Sequence, residues 1–260
     1  MTRGSDVFVR LERAGPVVEI TLDRPERHNS LVPELLVQLV GAMDEAGDDR
    51  AARAVVLGAT GRSFSTGGDV RGFWEGRDRI AAYADEIVGL LNKAMLAMMR
   101  LPLPIVGAVH GQVTGGSLGL VLACDIVLVS PEASFTPWYG PIGFAPDGGW
   151  NAILPAMLGR DRVHDILANN RSITAAESVA WGVAYDLVSG EMIRDEALLV
   201  AQRIAGRTAG AAEDLKARTP EEVAAVEERL DHERREFVRQ VTADAAAVGM
   251  VRYLGIDEGS

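Results

Sequence analysis

Two glycine-rich turns carry the residues of this chain best suited to chemistry. They read Gly61-Arg62-Ser63-Phe64-Ser65-Thr66-Gly67-Gly68-Asp69 and His110-Gly111-Gln112-Val113-Thr114-Gly115-Gly116-Ser117-Leu118-Gly119-Leu120, and each follows a short apolar run. Glycine admits positive φ and lets a guest approach the main chain, so such turns can present N–H groups to a ligand. The second turn runs straight into an apolar segment of helical character, whose free donors and positive dipole end would aim at the same point. The chemistry this suits is the holding of an anion on backbone N–H groups. The alternative is that the glycines serve only as tight turns or packing sites. His28, His110, His164 and His232 form no metal-spaced set, and one cysteine, Cys124, excludes an intrachain disulfide and a cysteine metal cluster. Cys124 lies in the apolar run from Leu120 to Val129 and reads as a small buried hydrophobe.

The elements that must position these turns alternate in type. Val7 to Leu11 and Val17 to Leu22 predict strands around the hairpin signal Arg13-Ala14-Gly15-Pro16. Pro33 opens a helix with Leu35, Leu36, Leu39, Val40 and Met43 on one face, ending near Gly47. Ala54 to Leu57 predicts a buried strand that delivers the first turn. The pattern repeats: a helix over Ile80 to Met99 is stopped by Leu101-Pro102-Leu103-Pro104, and strand Ile105 to Val109 delivers the second turn. Helix Ser117 to Ala123 and strand Ile126 to Val129 follow. After Gly148 helices are predicted over Trp150 to Leu158, Arg162 to Ala168, Ala175 to Trp181, Arg194 to Ala205 and Glu221 to Val241. The succession is α/β, with turns at strand ends where ligand sites collect.

Composition bounds the function classes. A chain of 260 residues, 48% hydrophobic, can bury one substantial core with a small appended element. Lys plus Arg number 26 against 37 Asp plus Glu, a formal charge of −11 without a dense basic run, which argues against a nucleic-acid surface. Met1 to Asp6 lack the apolar core of a signal peptide, and no apolar stretch approaches bilayer-spanning length. The expectation is a soluble, cytoplasmic protein with no membrane partner.

The glycine turns resemble those of the crotonase family, the enoyl-CoA hydratase/isomerase superfamily. There the first turn reads roughly G-x-x-F-S/A-x-G-A/G-D and the second N/H-G-x-x-x-G-G-G/S. The resemblance extends through Ile20-Thr21-Leu22-Asp23-Arg24-Pro25, Asn29-Ser30-Leu31, Ala123-Cys124-Asp125-Ile126 and Pro146-Asp147-Gly148-Gly149, all in order. It implies a spiral of ββα units, residues 1–200, and a helical C-terminal region, residues 201–260, that packs on the core and on neighbouring subunits in a homotrimer or dimer of trimers. The implied substrate is an acyl-CoA thioester, with coenzyme A as part of the substrate, no separate cofactor and no metal.

Carried over by that resemblance, the N–H groups of Gly68 and Gly116 form an oxyanion hole for the thioester carbonyl, stabilising enolate charge. Arg24 and Arg27 fall in the loop that contacts the nucleotide, Ser65, Thr66 and Gly67 supply backbone for adenine and pantetheine, and Asp69 holds the turn. Arg71 is a further phosphate candidate, each arginine having a solvated surface role as its alternative. Phe73, Trp74, Phe135 and Trp138 are expected to line or close the acyl pocket, or to belong to the core. The C-terminal segment Val248 to Gly255 departs from the usual Phe-Leu-x-Lys-Arg pattern. The two positions where a hydratase of this family carries glutamate are Gly119 and Tyr139 here. Gly119 implies either space above the pocket or close helix packing. Asp147 occupies the place of the acid in double-bond-shifting members and of the nucleophile in a dehalogenating branch. It reads as a proton-shuttling base or as the N-cap of a helix starting at Gly148 or Gly149, and Tyr139 as an orienting or packing residue. The expected activity is enoyl-CoA isomerisation, with a hydratase using Asp147 and Tyr139, or a non-catalytic acyl-CoA binder, as alternatives.

Overall fold

Buried runs of valine, isoleucine and alanine pair into a six-stranded sheet in the computed structural model, which describes residues 6–207 and 219–256. Its strands are β1 (Val9–Ala14), β2 (Val17–Leu22), β3 (Ala54–Ala59), β4 (Ile105–Val109), β6 (Ile126–Val129) and β9 (Asp186–Leu187), in the order β1-β2-β3-β4-β6-β9. The β1–β2 hairpin is antiparallel and turns at Gly15, φ 64°; every other pairing in this sheet is parallel. A smaller sheet joins β5 (Gln112–Thr114), β7 (Ser134–Thr136) and β8 (Ile173–Thr174).

The helices are α1 (Pro33–Asp48), α2 (Val70–Glu75), α3 (Ile80–Arg100), α4 (Leu118–Leu122), α5 (Tyr139–Ile142), α6 (Leu154–Leu158), α7 (Arg160–Ala168), α8 (Ala175–Ala180), α9 (Ile193–Ala205), α10 (Pro220–Val241) and α11 (Asp244–Leu254). Ala84, Ile87, Val88, Leu91, Met95 and Met98 form the buried stripe of α3 at three- and four-residue spacing, and α1 and α10 pack on this helix. The main core lies between the sheet and α1, α3 and α10. A second apolar cluster on the other face of the sheet packs Val17, Val56 and Val106 against α9.

Because β3 and β4 are parallel neighbours, the turns that follow them emerge at the same end of the sheet. That single fact of topology brings the two glycine turns together.

Most predicted elements stand where hydrophobic period placed them, with instructive differences. The first strand is Val9–Ala14 rather than residues 7–11, since its register is set by pairing with β2. The helix expected over residues 150–158 is only Leu154–Leu158, preceded by a turn at residues 148–153. The segment beginning at Ser117 opens as a 3-10 turn at Gly115–Ser117 before α4. The small sheet, α2 and α11 were not expected from the sequence. Residues 1–5 of the N-terminal segment, and residues 208–218 and 257–260 of the C-terminal region, lie outside the described residues. Among the described residues no helix is long and apolar enough to cross a membrane.

Candidate active site

The loop before α1 laces onto the first glycine turn through its backbone. Leu31 N–H donates to Gly67 O at 2.7 Å, Asp69 N–H to Leu31 O at 3.1 Å and Thr66 N–H to His28 O at 3.2 Å. Asn29, fully buried at φ 52°, donates its side-chain amide to Thr60 O and Ser63 O and accepts from Arg24 N–H. The two turns are then tied to one another: Ser65 N–H donates to Gln112 O, and Thr114 N–H to Ser65 O. A Cβ on Gly67 would lie 2.5 Å from Thr114 O and 3.4 Å from Gly115 Cα, at φ 71°, so only glycine permits this approach.

Gly68 follows in the loop and Gly116 sits in the first helical turn. Neither amide donates to a turn or loop carbonyl among the described residues, which leaves both available to a guest. Both line a cavity of about 170 Å³ together with Thr66, Gly67, Phe73, Trp138, Tyr139 and Asp147. Trp150 supports this wall from behind, its indole N–H donating to Gly115 O at 2.9 Å.

Among the described residues Asp147 is the one carboxylate lining that cavity. A Cβ on Gly116 would lie 2.9 Å from each of its carboxylate oxygens, which places the carboxylate directly against Gly116. The Tyr139 hydroxyl donates to Asp147 Oδ1 at 2.6 Å and to Asp147 O at 3.0 Å. Burial pushes the Asp147 carboxyl up to about 6, against the lowering effect of the Tyr139 hydrogen bond. Burial and the neighbouring Asp147 charge push Tyr139 well above its ordinary value, so it remains a hydrogen-bond donor.

The helix-cap reading of Asp147 is corrected by the structure. Glu233 of α10, buried, accepts from the N–H groups of Gly149, Asn151 and Ala152 at 2.9, 2.6 and 2.9 Å. It takes the Gly149 N–H that an Asp147 cap would have accepted, and Trp150 N–H goes to the Asp147 main-chain oxygen. Burial raises the Glu233 carboxyl to about 7 despite these three hydrogen bonds.

The open question at Gly119 resolves as close packing. A Cβ there would overlap Met95 Sδ and lie 2.9 Å from Gly148 O, and Gly119 does not line the cavity. Gly119→Ala is therefore expected to cost about 1 to 3 kcal/mol of stability through overpacking, read as a lower denaturation midpoint with unchanged slope. A midpoint equal to the parent's would refute the packing account.

Several candidates stand elsewhere than expected. Trp74 lies on α2 outside the cavity lining, its ring 4.7 Å from the Arg77 guanidinium, because Phe73 takes the inward face of that short helix. Phe135 is fully buried in the core as part of β7. Ser65 is fully buried with its N–H and O bonded to the second turn and its hydroxyl to Asn29 O, so its backbone is closed to a ligand. Arg24 and Arg27 both reach Asp69, at 3.3 and 3.0 Å; despite burial, these guanidinium groups hold its carboxyl below the usual range. Asp69 also caps α2 by accepting from Arg71 N–H. A polar hollow of about 250 Å³, sharing Thr66, Gly68, Val70 and Tyr253 with the cavity, carries Arg27, His28 and exposed Arg71.

Sequence reasoning missed Glu233, Phe144, Phe237 and Tyr253. A signal existed for Glu233: it falls on the buried stripe Leu230, Phe237, Val241 of α10, where an acid is out of place unless paired. No group of His, Cys, Asp and Glu that could hold a metal occurs among the described residues.

The family model for enoyl-CoA hydratase/isomerase matches residues 12–256. The chain belongs to this family. It is 33% identical over 210 residues to the probable enoyl-CoA hydratase EchA12 of Mycobacterium tuberculosis, covering 78% of this chain and 74% of the relative. It is 31% identical over 184 residues to 4-chlorobenzoyl coenzyme A dehalogenase-2 of an Arthrobacter species, covering 70% and 67%. The enoyl-CoA hydratase structure from Bacillus halodurans superposes with a TM-score of 0.88 at 21% identity over 95% of this chain and 100% of that one, a likeness of fold. The protein is thus a crotonase-fold enzyme of acyl-CoA chemistry.

Proposed function

We propose that this enzyme moves a proton within an enoyl-CoA, shifting its double bond through an enolate. The observation that carries the reading is Asp147, the lone carboxylate of the cavity among the described residues, held against Gly116 by Tyr139. The thioester oxygen sits on the N–H groups of Gly68 and Gly116. Asp147 takes a proton from the carbon chain, the C–H electron pair flows into the new double bond and the carbonyl oxygen becomes the enolate. The protonated carboxyl then returns the proton to a different carbon and the carbonyl re-forms. One base suffices for both steps, and two preorganised donors in a dry site stabilise the charge that develops between them. The hollow with Arg27, His28 and Arg71 suits the phosphates of coenzyme A, Arg71 being the arginine there that forms no ion pair among the described residues.

A hydratase reading asks Tyr139 to handle a second proton, which its raised pKa and its bond to Asp147 disfavour. Likeness to the dehalogenase supports a second reading, in which Asp147 attacks a carbon of the acyl group as nucleophile. Incubation in heavy water with a panel of acyl- and enoyl-CoAs separates these outcomes by product mass. Deuterium uptake without gain of water is expected; gain of water identifies hydration, and a mass increase on the Asp147 peptide in single turnover identifies covalent attack.

The pH profile follows from Asp147. Its carboxylate is the active form, so kcat/KM rises with pH through about 6 and levels above it. In Tyr139→Phe the lost hydrogen bond no longer lowers this pKa, and the rising limb moves to higher pH. A limb that stays in place or moves down contradicts the pairing.

The assembly is proposed to be a trimer or a dimer of trimers, and light scattering at working concentration checks it against a monomer.

A further inference from the structure

We propose that the acyl pocket is a closed chamber for a compact acyl group, about the bulk of one ring, and that an aromatic wall excludes long fatty chains. The inference rests on the acyl-CoA reading above and adds the substrate class to it.

The polar hollow touches the cavity at Thr66, Gly68, Val70 and Tyr253, which marks the mouth. Away from that mouth the lining is Phe73, Phe144 and Phe237, whose rings touch one another at centroid distances of 5.3 to 5.7 Å, backed by Ile87, Val88 and Leu91. Phe73, Ile87, Val88, Leu91 and Phe237 are each at most 4% exposed, and among these wall residues only Phe144 is half-buried, so a long chain could leave the far wall only past the Phe144 ring. Tyr83 closes the outer side of Phe73 edge-on at 5.1 Å. The wall draws on α2, α3, α10 and the loop after α5, and α10 is fixed to α3 by Asn92 donating to Leu230 O at 3.1 Å. Rings so interlocked do not swing aside without opening the α3–α10 contact.

Size then decides. An apolar cavity of about 150 Å³ takes one benzene, whereas pockets for drug-sized ligands run to about 300 Å³ or more. The chamber here is about 170 Å³ and must also hold the thioester beside Gly68 and Gly116. A short enoyl chain fits that space; a chain of a dozen carbons does not.

Isothermal titration tests this with four probes: coenzyme A, butenoyl-CoA, hexenoyl-CoA and dodecenoyl-CoA. In an open apolar channel each added methylene would tighten binding by about fourfold. The expected result is affinity that rises to hexenoyl-CoA and then falls at least tenfold at dodecenoyl-CoA. Phe144→Ala, at a half-buried position, and Phe237→Ala, at a buried one, should each strengthen dodecenoyl-CoA binding at least tenfold relative to butenoyl-CoA, so that the fall from hexenoyl-CoA to dodecenoyl-CoA is lost. Tighter binding of dodecenoyl-CoA than of hexenoyl-CoA by the parent overturns the size limit, as does an unchanged profile in both folded variants. Failure of coenzyme A and all three thioesters to bind overturns the acyl-CoA reading as well, so the two failures are told apart.

Discussion

Asp147→Asn is expected to abolish proton exchange while leaving the protein at least as stable as the parent. Asparagine keeps the volume and an oxygen that accepts from the Tyr139 hydroxyl, but it cannot take a proton at neutral pH. Loss of a positioned base is worth about 10²- to 10⁴-fold in rate, and exchange of substrate protons in heavy water should fall by that factor. The stability side follows from linkage. The folded carboxyl titrates at about 6 against an unfolded value of 3.8, so the native state binds the proton more tightly. Its stabilising contribution is complete below pH 3.8 and is lost as pH rises through 6. At pH 8 the parent carries a fully buried carboxylate with no cation against it among the described residues, a penalty of roughly 3 kcal/mol for a titration displaced that far. The asparagine variant removes that charge and should melt at or above the parent at pH 8, with the difference vanishing near pH 4. Parental exchange rates in a well-folded variant would move the base elsewhere.

This penalty is the physical mark of a functional site within an otherwise consistent fold. The sequence was legible where one local rule acted: β4 and β6 have the bounds expected of them, and α3 and α9 come within one residue, because their apolar periods are unbroken. Gly68 and Gly116 could be proposed because their turns are contiguous motifs. Legibility ended where contacts are long-range. Nothing local shows that Glu233 spans to Gly149, or that Phe237 meets Phe73 and Phe144, since α10 reaches the site only by packing on α3. The same holds at Arg24 and Arg27: the resemblance of their loop implied nucleotide contacts, but nothing local shows that Asp69, more than forty residues away, pairs with both. Trp74 illustrates a face problem, since a six-residue helix with Phe73 and Trp74 adjacent cannot turn both rings inward.

The largest structural effect is expected at Glu233. Its two carboxylate oxygens take three main-chain N–H groups from the turn that carries Asp147, and alanine would leave those buried donors without acceptors. Each unsatisfied buried donor costs about 1 to 3 kcal/mol, so Glu233→Ala should lose roughly 3 kcal/mol or more even after water partly refills the space. A glutamine side chain in its place would keep one acceptor oxygen but turn an N–H₂ toward a donor, so Glu233→Gln should fall between alanine and parent. Linkage supplies an independent signature. The Glu233 carboxyl rises from 4.5 to about 7 on folding, so its contribution is complete below pH 4.5 and fades as pH climbs through 7. Parental stability should therefore decline from pH 4.5 to beyond 7, whereas in Glu233→Ala the decline ends near pH 6, where Asp147 alone remains. Function should follow structure through the neighbouring backbone: a Cβ on Gly148 would lie 2.6 Å from Gly116 Cα, so a loosened turn displaces Asp147 and Gly116, the proposed oxyanion donor, together. The rate of the chemical step should fall far more than the affinity for coenzyme A, whose proposed hollow is lined by no residue of α10. If Glu233→Ala unfolds at the parental midpoint across pH 5 to 8, the three hydrogen bonds contribute nothing and the turn is held by packing alone.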